Sequence, residues 1–201
     1  MGCMPRLVPP AVQAGSLRGR PQPVLTAPGG LTLRPWQDTD AAVLLQAHAD
    51  PDIRRWHRRG LASQREALAL IASWRQGWQD ETRGCWAITD GQPGGVLGRL
   101  SLRVQLELGV GEVGYWVLPP ARGRGVAPRA LAGLTGWLLD ELRLHRVELG
   151  HSVANAASCR VAEKSGYQFE GVLRGALQHE DGWHDMHLHA VIASDPRPPG
   201  A

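Results

Sequence analysis

The chain begins a readable pattern at Leu31-Thr32-Leu33-Arg34, where apolar and polar residues alternate with the period of a strand; Pro35 ends it. Asp38 or Thr39 fits as the cap of a helix running through Ala42, Leu44, Leu45 and Ala47. Ser63, with Glu66 three residues on, predicts a second capped helix, and Leu68, Ile71 and Trp74 recur at helical spacing. Trp86-Ala87-Ile88 reads as a strand, followed by an Asp90-Gly91 turn. Val96 to Val104 and Glu112 to Leu118 read as two further strands, joined near Gly109-Val110-Gly111. Pro128 stands near the start of a long helix striped by Leu131, Leu134, Leu138 and Leu142. Val147, Leu149 and Val153 mark the next strand. Asn155 or Ser158 opens another helix, which Gly166 ends. The last strands cover 172–177 and 184–192. This order predicts an α/β fold, mostly antiparallel at first, with a parallel crossover in its second half.

Composition sharpens the boundaries. Residues 1–30 hold six prolines, five glycines and three arginines without periodicity, which predicts a flexible extension before a folded domain at 31–195; 196–201 reads as a loose tail. No run of about 18 apolar residues exists, so no membrane span is expected. The early apolar stretch is broken by Pro9 and Pro10, which argues against a signal peptide. Cys3, Cys85 and Cys159 are an odd set with no C-x-x-C pair, pointing to a reducing compartment, hence a cytoplasmic protein without disulfides. A net charge of +3, with two Tyr and one Phe, gives no argument for nucleic acid. Lys164, the single lysine, follows Glu163 rather than a glycine, which excludes a Walker A phosphate loop.

The most informative stretch runs from Gly114 to Ala127: a strand, a turn containing Arg122-Gly123-Arg124-Gly125, then a helix. Free N–H groups at a helix start attract anions, and glycine lets a phosphate approach closely. Arg122, Arg124 and Arg129 add positive charge. A plain strand–helix turn exposing arginines uses the same residues. A Rossmann fingerprint fails, because the position for its third glycine is Pro128.

Arg122-x-x-Gly125-x-Ala127 matches the acyl-CoA pyrophosphate motif of the GNAT superfamily of N-acetyltransferases. Gly114-Tyr115-Trp116-Val117, Asn155-Ala-Ala-Ser158, Val161 to Tyr167, Glu170 to Arg174 and Asp181 to Asp185 follow in the order of its ribosomal-protein, RimJ/RimL-like subfamily. The resemblance covers roughly residues 31–192. It implies a GNAT fold: a mixed, mostly antiparallel central sheet, a splayed parallel strand pair and flanking helices. It also implies acetyl-CoA as co-substrate, with the pantetheine arm in the splay near Val117. The pyrophosphate would lie on the N–H groups of Arg122, Gly123, Arg124, Gly125, Val126 and Ala127, and Asn155 would contact the cofactor near its arm. Asn155 serves equally well as a plain helix cap.

The implied reaction is direct acetyl transfer to a primary amine, a protein N-terminus by subfamily likeness. Other acceptors stay open, such as an aminoglycoside or polyamine, which an acid-lined cleft would favour. A non-catalytic acyl-CoA-binding module also stays open, and a homodimer is compatible. Glu112 is the first candidate for the base that an ammonium requires; it shares a strand face with Gly114 and Trp116. Glu180, Asp181 and Asp185 are later candidates. Subfamily members carry a glutamate near the position of Leu177, and many superfamily members a tyrosine at that of Ala162; this chain has neither. Ser158 resembles the subfamily serine and is the candidate donor to the leaving sulfur, though a serine opening a helix also serves structure alone.

His179, His184, His187 and His189 crowd the end of the chain. His187 and His189 share a face with Asp185, a pattern compatible with metal ligation, but strand histidines beside a cleft need no metal and none is expected. His151 is placed to reach the cleft. Cys159, lacking obvious His and Asn partners, is not expected to act as a nucleophile. Arg54 to Arg59 reads as a solvated basic face.

Overall fold

The computed structural model describes residues 7–57, 60–92 and 94–196. The strands are β1 (Leu25–Ala27), β2 (Leu31–Pro35), β3 (Arg83–Thr89), β4 (Val96–Gln105), β5 (Val110–Val117), β6 (Arg146–Ser152), β7 (Gln168–His179) and β8 (Gly182–Ile192). They form one eight-stranded sheet in the order β1-β2-β3-β4-β5-β6-β8-β7. β5 and β6 run parallel, and the other neighbours are antiparallel. This is the mixed sheet with one parallel pair that the order of elements predicts.

The helices are α1 (Ala41–Ala49), α2 (Pro51–Arg55), α3 (Gln64–Gln79), α4 (Val126–Gly136) and α5 (Ala156–Lys164). They cover both faces of the sheet. Alternation along β3 sends Trp86 and Ile88 into one core with Leu131, Leu134 and Leu138. Cys85 and Ala87 go to the opposite core with Trp36, Leu44, Ile71 and Trp74. Ser63 caps α3 by accepting from Glu66 N–H at 3.3 Å, as the spacing predicts. α1 is entered differently. A 3-10 turn over Asp38–Asp40 precedes it, closed reciprocally by Gln37 and Asp40. Arg34 pins Asp40 with contacts of 2.7 and 2.8 Å. The leucine stripe continues beyond α4 through a π turn over Trp137–Glu141, which brings both Leu138 and Leu139 into the core.

Order starts earlier than periodicity suggests. Of the stretch expected as a flexible extension, residues 11–30 lie against the domain. Ala11 and Val12 donate to Glu107 and Leu106 carbonyls at 3.0 and 3.1 Å. Val12 and Leu17 are buried in the core. The Glu81 carboxylate accepts from Gly15 N–H at 2.7 Å and Leu17 N–H at 2.8 Å. The indoles of Trp78 and Trp86 donate to the carbonyls of Arg20 and Pro23. Before β1 this strap has no regular period, because Glu81, two indoles and the carbonyls of Leu106 and Glu107, not a helix or ladder of its own, anchor its backbone. Cys3, Arg58, Arg59 and the tail beyond Pro196 lie outside the described residues. Among the described residues no helix is long and apolar enough to cross a membrane.

Candidate active site

β5 and β6 pair for only four residues, from Val110↔Arg146 to Val113↔Leu149. Beyond Leu149, β6 keeps its ladder with β8 as far as Ser152↔Met186. β5 keeps its ladder with β4 as far as Val117↔Gly98. The two strands therefore part, as the sequence resemblance implies. Leu118 N–H bonds the Leu97 carbonyl at 2.8 Å on the β4 side. By strand alternation the polar groups of Val117 face the gap. The resulting groove has a volume of about 940 Å³ and is lined from both faces of the sheet.

At the open end of the gap the chain turns into α4. Gly123 and Gly125 sit at φ 73° and 69°, a region that glycine enters freely. Gly125 is the N-cap of α4, and no side chain caps it. The first-turn N–H groups have no intrahelical acceptors, and Pro128 needs none. This is a helix start open to an anion, and its residues fit a pyrophosphate. The arginines are disposed less simply than the sequence suggests. Arg122 reaches back to α2, contacting Asp50 at 2.8 Å and Asp52 at 2.7 Å. Its Nε donates to the Val117 carbonyl at 3.1 Å. Burial alone would raise the Asp50 carboxyl, but Arg122 and the Ile53 N–H hold it below the ordinary range. Arg129 braces the turn, donating to the carbonyls of Gly125, Arg124 and Gly29. Arg124 is exposed.

α5 forms the other wall. Asn155 caps it, its Oδ1 accepting from Ser158 N–H at 3.1 Å. Ser158 Oγ lies 3.0 Å from the Tyr115 hydroxyl. Burial pushes the Tyr115 phenol up, so it keeps its proton at neutral pH. Tyr115 is a site residue whose role the sequence alone does not suggest. Glu112 lies at the closed end of the gap, half-exposed, 3.4 Å from Arg103. Among the later base candidates, Glu180 pairs with Arg54 at 3.2 Å and Asp185 accepts from Gly175 N–H at 2.7 Å. Asp181 lies 2.8 Å from His184 Nε2, and His184 Nδ1 lies 2.7 Å from Ser152 Oγ. This chain of groups runs from the surface to a buried serine on the groove wall.

The late histidines divide. His179 and His184 stand 4.6 Å apart by ring centroid, both edge-on to Trp56. His187 and His189 face His151 and Cys159 beneath α5 instead of Asp185. Cys159 thus has a histidine neighbour, with Sγ 4.0 Å from His189 Nε2. Burial and Glu163 push its thiol up, which works against a nucleophilic role. In the basic run the two described arginines, Arg54 and Arg55, are exposed, as a solvated face requires. Arg54 and Arg55 close α2, and Arg55 lies over Trp56 at the groove.

The GNAT acetyltransferase domain matches residues 30–168 of this sequence. The chain belongs to that family. A probable N-acetyltransferase of Bacillus subtilis is 31% identical over 83 residues, 41% of this chain and 46% of the relative. The ribosomal-protein-serine acetyltransferase of Escherichia coli is 32% identical over 81 residues, 40% of this chain and 45% of the relative. The matched part thus spans about half the length of each of these relatives. The structure of Mycobacterium smegmatis RimJ in complex with CoA-disulfide superposes with a TM-score of 0.73 at 24% identity, covering 85% of this chain and 86% of that one.

In this GNAT chain the acids of the groove are largely engaged. Glu112 faces Arg103, and Asp52 faces Arg122. Arg55, Arg83, Arg99 and Arg103 line the same groove. Arg99 lies 5.1 Å from the Trp74 ring centroid, a cation held over an aromatic face. The wall is therefore basic and aromatic, and the acid-lined cleft that a polycationic acceptor would favour is not what these side chains form.

Proposed function

We propose that this GNAT chain transfers the acetyl group of acetyl-CoA to a primary amine, and that the amine is a protein N-terminus. The observation that carries the reading is the parting of β5 and β6 after Val113 and Leu149, leading to the uncapped start of α4 at Gly125. Acetyl-CoA supplies the activated acyl group. The N–H groups of Gly123, Arg124, Gly125, Val126 and Ala127 would hold its pyrophosphate. Arg122 would hold the turn in shape through Asp50 and Asp52, and the gap-facing groups of Val117 would align the arm. Asn155 keeps α5 beginning where Ser158 faces the gap.

The amine nitrogen forms a bond to the acyl carbon, the carbon–sulfur bond breaks, and the amine proton must leave. Glu112 accepts that proton at the closed end of the gap. Ser152 backed by His184 and Asp181 is a second route for it, favoured by their unbroken contacts. Ser158, with the Tyr115 phenol behind it, donates a hydrogen bond to the departing sulfur. The arginines of the wall favour a neutral or acidic peptide over a polyamine or aminoglycoside.

Titration calorimetry of acetyl-CoA with wild type and Gly125→Trp tests the donor site; tight binding abolished by the substitution is expected. Turnover with peptides bearing acidic second and third residues, compared with spermidine and an aminoglycoside, tests the acceptor. Binding without turnover of any amine would leave a binding module. Glu112→Gln and His184→Gln separate the two proton routes, since the variant that loses rate at unchanged acetyl-CoA affinity marks the base.

A further inference from the structure

His151 on β6, Cys159 on α5, and His187 and His189 on β8 point donor atoms at one place. One ligand atom from each lies within 4.8 Å of every other. Two features of the chain bring them together. His187 and His189 are two apart on one strand, so they share a face. The β6–β8 register then sets His151 opposite His187 and Leu149 opposite His189. α5 crosses over that face and adds the sulfur. The ring centroid of His151 lies 5.3 Å from that of His187 and 5.2 Å from that of His189. His189 is 1% exposed and His151 6%.

These imidazoles are not satisfied by one another. Nε2 of His151 and Nδ1 of His187 are buried without a hydrogen-bond partner among the described residues. His189 turns its Nε2 toward Cys159 Sγ, at 4.0 Å. Buried polar atoms are normally paired, and lone ones gathered in one place call for a common partner. We propose that His151, Cys159, His187 and His189 form a closed four-ligand site for a divalent transition metal of the zinc class, set between β6, β8 and α5. Three imidazoles and one thiolate suit a borderline-soft ion that accepts tetrahedral geometry, and suit calcium or magnesium poorly. Zinc–nitrogen bonds of about 2.0 Å and a zinc–sulfur bond of about 2.3 Å set donor–donor edges of roughly 3.3–3.5 Å. Small side-chain rotations close the cluster to that size.

The surroundings suit ligation. His151 Nδ1 donates to the Ser152 carbonyl at 2.9 Å, which fixes the tautomer and leaves Nε2 as the lone-pair nitrogen. Phe169 packs edge-on at 5.0 Å from His187 and 5.4 Å from His189. Metal binding would release the Cys159 proton to solvent as the thiolate forms. The ion would be a clasp: α5 buries only Ala162 in the core, yet it carries Asn155 and Ser158 on the groove wall. His187 and His189 lie beyond the segment matched by the family domain, at 30–168.

The test uses the full chain without acetyl-CoA, so it is independent of the proposed activity. The purified protein, stripped with a chelator, is titrated with zinc(II) against a chromophoric competitor, then refilled with cobalt(II). One ion per chain is expected. Cobalt should give the intense visible bands of a tetrahedral site and a thiolate-to-metal charge-transfer band. Cys159→Ser and His187→Gln change half-buried positions, so folding is checked by circular dichroism and is expected to hold. Cys159→Ser should lose the charge-transfer band, and each variant should weaken binding at least about 100-fold. A wild type with no saturable one-to-one zinc binding overturns the proposal. So does binding that both substitutions leave unchanged, which would put the ion elsewhere.

Discussion

The Tyr115 hydroxyl is 3.0 Å from Ser158 Oγ, yet the two residues come from a strand and a helix that are 43 positions apart in sequence. This chain has Ala162 where many of its superfamily relatives offer a tyrosine, and Tyr115 puts a phenol next to the serine from the opposite wall. Tyr115→Phe should lower kcat by about 10²-fold if the phenol supports a proton-donating serine, with acetyl-CoA affinity unchanged; steady-state kinetics beside calorimetry reads both. Tyr167 is a contrasting case, because its hydroxyl lies 2.6 Å from the buried Thr135 hydroxyl and away from the groove lining. Tyr167→Phe leaves the Thr135 hydroxyl without that contact and should cost about 1–2 kcal/mol in urea unfolding, with no change in kcat.

Among the elements, the strap before β1 depends on one carboxylate. Burial alone would raise the Glu81 pKa, but N–H donors from Leu17, Gly15 and Arg18 outweigh it and hold the group below the usual glutamate range. A depressed pKa in the folded state means the contribution is present above the unfolded value and fades as pH falls through the folded one. Glu81→Gln should therefore lower stability by about 1 kcal/mol at neutral pH, allowing for solvent screening. The difference in Tm between the two proteins should close as the solution is acidified below the carboxylate range. At neutral pH, trypsin should cut the variant faster after Arg18, the bond after Arg20 being protected by Pro21. Elements with their own period or cap are legible in the sequence: the strands at the splay, α3 behind Ser63, α5 behind Asn155 and the glycine turn at 122–125. The strap is not, because Leu17 is anchored by a side chain 64 positions away. The same holds for Ser152 with His184, and for His151 with His187. Each pair exists only once the β6–β8 register is set, and register is a property of two distant segments together.

For the molecule as a whole, the strap belongs to the core. Burying an aliphatic side chain contributes about 1.5–3 kcal/mol, so deleting residues 1–20 should remove several kcal/mol by uncovering the sites of Val12 and Leu17. Calorimetry of the truncated chain would show this as a clear drop in Tm. A sheet covered on both faces would normally isolate them, but the parting of β5 and β6 opens it through its thickness. Tyr115, Ser158 and Val161 reach the groove from the side of α5, while Arg99, Glu112 and Trp116 reach it from the side of α3. Two molecules can therefore meet at the middle from opposite doors, and neither has to leave before the other enters. For the proposed transfer the expected kinetic signature is a ternary complex: double-reciprocal plots that intersect, free CoA competing with acetyl-CoA but not with the amine, and an acetylated product that departs by its own door.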